Sequence, residues 1–166
     1  MKSLAIIPNG LLEIKQVYGN PDLNHDGTLD HWFVKNRLDI FELPYPMVLS
    51  WKPSVHVKYI QCHIDVGEII IDAFTEILKH KGESYLESMG YNVYGGCFNF
   101  RPKRNNQGLS VHSWGVAIDI NPHIAPYGKE GSQPGFIIDA FCKRGFEWGG
   151  TWKYKDPMHF QACRGY

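Results

Sequence analysis

"LSVHSWGVAIDIN", residues 109–121, divides at Gly115. After that glycine the run Val116-Ala117-Ile118-Asp119-Ile120 alternates. Val116, Ile118 and Ile120 share one face of a strand, and Ala117 and Asp119 share the other. Gly115 tolerates backbone angles closed to other residues and supplies a place for a bend. The stretch predicts a short strand with its apolar face on the core and Asp119 turned to a cleft, where the small Ala117 leaves room beside the carboxylate.

Two other segments carry the same strand signature. "YNVYGGCFNF" (91–100) and "DPMHFQA" (156–162) are short, rich in aromatic and β-branched residues, and bounded by Gly, Pro and Asn. Helices flank them. In "HIDVGEIIIDAFTEILKH" (63–80), Val66, Ile69, Ile70, Ala73, Phe74 and Ile77 recur at three- and four-residue spacing, with charged residues opposite and Gly82 as a stop. A shorter helix is predicted at 134–144, with Pro134 at its start, Lys143 and Arg144 in its last turn and Gly145 beyond. Helices with antiparallel strands in one small chain predict an α+β fold, an antiparallel sheet with flanking helices. Residues 1–50, with "ELPYP", read as an irregular layer over a core spanning 50–162.

The 166 residues fit a single domain (1–166). Seventeen basic and seventeen acidic residues cancel, which argues against nucleic-acid and membrane-surface binding, since both need a basic excess. No run approaches the roughly 20 apolar residues of a membrane span, and "MKSLAIIPNGLLEIK" is too short in its apolar part for a signal peptide. Cys62, Cys97, Cys142 and Cys163 form no C-x-x-C pair and read as free thiols. A monomer is expected.

His112 and Asp119 stand seven positions apart. On one continuous strand they would face opposite sides of the sheet. On one straight helix they would lie about 10 Å apart along the axis, too far to share a metal ion with bonds of about 2 Å. A bend at Gly115 would let them converge. The stretch by itself leaves two readings: two ligands of one ion, or a surface histidine followed by an aspartate that ends a strand.

A third ligand is offered by His159 in "GFEWGGTWKYKDPMHFQA". Two histidines and an aspartate form a typical zinc set that leaves one position for water or substrate. Zinc lowers the pKa of its water to about 7, and a fixed carboxylate such as Asp156 can accept a proton and deliver it to a leaving amine. Amide hydrolysis is the chemistry that results. Arg101 and Arg104 in "NFRPKRNN" are candidates to meet the carbonyl oxygen as it becomes negative, or else are solvated loop arginines.

The pattern S-x-H-x-x-G-x-A-x-D at Ser110, His112, Gly115, Ala117 and Asp119, followed by an acidic residue three before a histidine, resembles the zinc D-Ala-D-Ala carboxypeptidase and L-alanyl-D-glutamate endopeptidase family. "GGCFNFRP", "LSVHSWGVAIDINP" and "WGGTWKYKDPMHFQ" are similar to its phage endolysin branch, over roughly residues 50–162. The resemblance implies His112, Asp119 and His159 as zinc ligands and one Zn2+ per chain. It implies Asp156 as acid/base, where many relatives carry glutamate, and Arg101 as the residue steadying the substrate carbonyl. Ser110 falls at the family's serine position, to contact substrate or orient His112.

The implied activity is hydrolysis of peptidoglycan stem peptides, with an L-Ala-D-Glu endopeptidase acting as a phage lysin as the leading reading. A chain without a signal peptide fits synthesis in the host cytoplasm and release to the wall through a holin's membrane hole. The alternatives are a D-Ala-D-Ala dipeptidase or carboxypeptidase, and a non-catalytic zinc-bearing wall or virion module. The presence of Asp156 beside all three ligands disfavours the last.

Trp114, Trp148, Trp152 and Phe160 can line a cleft or fill the core. His63 either supports the ligands or simply begins the long helix; His25, His31, His56, His80 and His123 have no partner pattern. "DLNHDGTLD" (22–30) places Asp22, Asn24, Asp26, Gly27 and Asp30 at positions one, three, five, six and nine of a calcium loop, but Phe33 stands where an EF-hand needs glutamate. The loop is either a weak Ca2+ site or a turn.

Overall fold

The computed structural model describes residues 1–104 and 107–166. Helices α1 (Gly10–Tyr18) and α2 (His31–Arg37) precede a hairpin of two long strands, β1 (Leu38–Leu49) and β2 (Lys52–His63). Helices α3 (Ile64–Lys81) and α4 (Glu83–Ser88) follow, then β3 (Val93–Gly96), β4 (Ala117–Ile120), α5 (Gly135–Cys142), β5 (Glu147–Trp148) and β6 (His159–Gln161). The strands form one open six-stranded sheet in the order β2-β1-β3-β4-β6-β5, antiparallel except where β1 meets β3. The fold is a small α+β domain, as the alternation of patterns predicts.

The long helix forms where its periodicity places it. Val66, Ile69, Ile70, Ala73, Phe74 and Ile77 are buried in the core, and each large apolar side chain stabilises the fold by roughly 1.5–3 kcal/mol. His63 caps the N-terminus: its Nδ1 accepts from the Asp65 N–H at 3.2 Å, and its other ring nitrogen meets the Tyr18 carbonyl at 3.0 Å. Of the two readings of His63, the helix-end one holds. Midway along α3, Arg144, the residue after the C-cap of α5, is buried and clamps the two helices together. Its guanidinium donates to the Asp72 carboxylate at 2.6 and 3.0 Å and reaches Glu76 at 3.0 Å.

Residues 1–50 are not an irregular layer. They hold α1, α2 and all of β1, and they bury Ile14, Tyr18, Phe33, Leu43, Tyr45 and Met47. Pro44 and Pro46 argue against a strand because proline cannot donate to a ladder. β1 tolerates them through a register shift between Glu42 and Met47, where the pairing with β2 is interrupted. Pro53 lies at the start of β2, on the sheet's outer edge. The sequence also carries no clear signal for α4 or the two-residue β5, and the three predicted strands are shorter than their segments.

Candidate metal centre and cleft

Cross-strand register brings the first two side chains together. β4 and β6 pair antiparallel with Asp119 opposite His159. The Ile120 N–H donates to the Met158 carbonyl at 2.9 Å, which makes Asp119 and His159 a non-hydrogen-bonded pair, the type whose side chains lie closest. Asp119 Oδ1 and His159 Nδ1 are 2.9 Å apart. Gly95 on the neighbouring β3 leaves the space: a Cβ there would come within 2.8 Å of the Asp119 Cβ.

The third side chain arrives through the bend. Val111–Trp114 forms a single 3₁₀ turn that ends on Gly115 in the left-handed region (φ 67°, ψ 25°). A Cβ on Gly115 would meet the His63 amide nitrogen at 2.9 Å, and that amide donates to the Gly115 carbonyl at 2.9 Å. The turn folds His112 back over β4. His112 Nε2 then lies 3.4 Å from Asp119 Oδ2, close to the roughly 3.3 Å edge of a tetrahedron with bonds near 2.05 Å. One ligand atom from each of His112, Asp119 and His159 lies within 4.8 Å of the other two.

Hydrogen bonds on the far side of each imidazole fit the group to a metal. His112 Nδ1 donates to the Cys97 carbonyl at 2.6 Å, which leaves Nε2 turned to the cluster. His159 Nε2 meets Gln161 Oε1 at 3.1 Å. The Gln161 amide is itself oriented, since its Nε2 donates to Glu147 Oε2 and to the Cys163 carbonyl, each at 3.2 Å. Trp152 Nε1 donates to the other Glu147 oxygen at 2.9 Å. Such partners fix tautomer and ring direction, as around metal-bound histidines generally. Nothing in sequence spacing marks Gln161 or Glu147 as part of this chain. The alternation of β6, which turns His159 and Gln161 to the same face, is the signal that would find Gln161.

Electrostatics follow burial. Burial pushes the Asp119 carboxyl up, but the adjacent His112 and His159 outweigh it and hold it far below the usual carboxylate range. Burial lowers His159, and the Asp119 carboxylate more than offsets that, leaving it above its ordinary value. Asp156 lines the same cleft, and burial raises its carboxyl above the ordinary value against the opposing pull of His159. Its Oδ1 is buried with no hydrogen-bond partner among the described residues. That oxygen is spent on no protein donor among the described residues, and the residue stands in the cleft beside the ligand group.

The cleft, about 400 Å³, is lined by all three members of the group together with Arg101, Ser110 and Asp156. Arg101, Lys103 and Arg104 lie on its rim, on a return of chain held by the Ser110 N–H to the Arg101 carbonyl and the Lys103 N–H to the Gly108 carbonyl, each 2.9 Å. Of the four aromatic candidates only Trp152 lines the cleft. Trp114 and Phe160 are wholly buried, and Trp148 packs on the core with its Nε1 on the Pro157 carbonyl.

The 22–30 loop is a turn. Asp22 accepts from the Asp26 and Gly27 amides, Asp26 from Thr28, and Asp30 from the Leu23 amide. These carboxylates cap their own backbone and, with Asn24, do not gather as a metal group. Among the described residues His112, Asp119 and His159 are the one group that does. Nothing supports the calcium reading.

A small α+β sheet that gathers two histidines, two carboxylates and three cations in one cleft defines a candidate hydrolytic metal centre. Residues 103–162 match the sequence model of the D-alanyl-D-alanine carboxypeptidase family, which supports the zinc-peptidase resemblance carried by the sequence motifs. The matched span includes His112, Asp119, Asp156 and His159 and begins just after Arg101. Comparison with curated proteins and with solved structures found no match. No helix among the described residues is long and apolar enough to cross a membrane.

Proposed function

We propose that this protein is a zinc-dependent peptidase that hydrolyses amide bonds in peptidoglycan stem peptides, as an L-Ala-D-Glu endopeptidase of the phage lysin kind. The observation that carries the reading is Asp156, whose Oδ1 has no hydrogen-bond partner among the described residues, in the same cleft as the His112, Asp119 and His159 group. His112 Nε2, Asp119 and His159 Nδ1 would hold the zinc. When bound there, zinc supplies an acidified water and a positive charge for the substrate carbonyl.

The remaining work falls to the chain. Asp156, raised by burial, takes a proton from the attacking water and delivers it to the leaving amine. Arg101, whose guanidinium also donates to the Pro102 carbonyl at 3.2 Å, meets the oxygen on which negative charge develops. Ser110, buried at the cleft wall, orients substrate next to His112.

A second reading, removal of terminal D-Ala by a carboxypeptidase, is favoured by the description of the matching family. Incubating zinc-loaded protein with defined muropeptides and weighing the products separates the two. Cleavage between L-Ala and D-Glu is expected. Loss of terminal D-Ala alone would replace the endopeptidase reading with the carboxypeptidase one, and no cleavage of either bond would remove both.

A further inference from the structure

Three cations line the cleft, and among the described residues none of them forms an ion pair with a carboxylate. Arg101 is accounted for by the proposed chemistry; Lys103 and Arg104 are not. Each is seated on an aromatic ring. The Lys103 Nζ lies 3.3 Å from the centre of the Tyr166 ring, and the Arg104 guanidinium carbon lies 3.7 Å from that of Tyr127.

Both rings are themselves fixed. The Tyr166 hydroxyl donates to the Leu109 carbonyl at 2.9 Å, and its ring meets Trp114 edge-on at 6.1 Å. Tyr127 packs on Tyr154 with centroids 5.0 Å apart and the rings tilted by 45°. Long cationic side chains held this way have surrendered much of their rotamer freedom before any ligand arrives, so an anion meets a formed site. Burial also lowers the Lys103 ammonium from its ordinary value, outweighing the opposing influence of Cys163, as for a cation drawn partly out of water with no carboxylate beside it.

The opposite charges in the cleft do not satisfy these two. Asp119 is engaged by His112 and His159, and no Asp156 oxygen lies within ion-pair distance of either cation. A cleft that keeps two pre-positioned cations, the half-buried Lys103 and the more exposed Arg104, beside a candidate scissile site is complementary to a substrate bearing a carboxylate near the cleaved amide.

Resting on the peptidase reading above, we propose that Lys103 and Arg104 form a carboxylate-binding subsite that recognises a free carboxylate on the stem peptide next to the scissile amide. Two carboxylates have this chemistry: the α-carboxylate of a γ-linked D-Glu, and the C-terminal carboxylate of a terminal D-Ala. Amidation of either removes the charge while keeping the shape, so each can be tested separately.

The experiment uses the full chain loaded with zinc, its metal content checked for every variant. Four substrates are compared: a stem peptide with D-Glu or with D-isoglutamine, and a pentapeptide with its terminal D-Ala-D-Ala carboxylate free or amidated. In the arm that is cleaved, amidation is expected to raise KM about tenfold with a smaller change in kcat. The Lys103→Gln/Arg104→Gln double variant should raise KM comparably for the free acid, but little further for the amide. The arm showing this dependence identifies the carboxylate. Equal KM for acid and amide in wild type, with no charge dependence in the variant, would overturn the subsite while leaving the peptidase reading intact.

Binding to the Asp156→Asn protein, measured calorimetrically, reports on the subsite even if no peptide is cleaved. Tighter binding of the acid than of its amide, lost in the triple variant, supports the subsite. Equal binding rejects it.

Discussion

His159 presents its Nε2 to Gln161 Oε1 at 3.1 Å, so the far nitrogen of a proposed ligand is held by a neighbour two residues along the same strand. Glu147 fixes that neighbour in turn. Replacing Gln161 with leucine keeps the bulk and removes the acceptor. Zinc affinity, measured by competition with a chromogenic chelator, is expected to fall about 10- to 100-fold, with the far-ultraviolet circular dichroism unchanged. Unaltered affinity would mean that the hydrogen bond does not orient His159.

Asp156 lies three residues before His159 but outside the three-membered ligand group. Asp156→Ala is therefore expected to retain about one zinc per chain and to lose about 10²- to 10⁴-fold in kcat on the cleaved muropeptide. Atomic absorption and product mass spectrometry check the two halves separately. Full activity in this variant would move the acid/base role elsewhere.

Gly115 adopts φ 67° with the His63 amide directly behind it. Gly115→Ala combines an unfavourable backbone with a close approach and should cost about 1–3 kcal/mol of stability. Urea unfolding measures that cost. Because the same glycine turns His112 onto β4, zinc affinity should fall with it.

The α3–α5 clamp gives a pH dependence. Burial pushes the Asp72 carboxyl up, but the hydrogen bonds from the Lys2 amide and Arg144 outweigh it and leave it below its ordinary value. Glu76 is lowered chiefly by Lys143, with Arg144 adding to it. A depressed carboxylate stabilises the fold fully above its unfolded pKa of about 4 and loses that contribution as pH falls through the folded value. Arg144→Met should cost on the order of 2 kcal/mol at pH 7, moderated by the partial exposure of both carboxylates. The two proteins' unfolding free energies should converge as the pH is taken below about 4; a gap independent of pH would assign the cost to packing.

The legibility of this molecule from sequence varied with the kind of signal. The α3 helix and the β4 strand were readable because burial imposes a period on their residues. Gly115 marked where a bend could bring His112 to Asp119, but the stretch alone left the surface-histidine reading open and His159 was needed to favour convergence. The β1–β2 hairpin was hidden by prolines that a bulge and an edge position accommodate, conditions set by pairing rather than by local composition. Gln161 and Glu147 escaped notice for a related reason. Their role depends on β5 lying against β6, and a two-residue strand leaves almost no pattern. Lys103 carries no signal in its own segment, because the Tyr166 ring beneath it lies far away in the chain.

The pairing of Asp119 with His159 joins residues 40 positions apart on facing strands. A slip of one residue would turn one partner to the opposite face of the sheet. Metal uptake by a refolded sample would therefore serve as a gauge of alignment: chains that capture the ion at this group have brought β4 and β6 together in native register. A simple titration could then count correctly assembled molecules without any measure of activity.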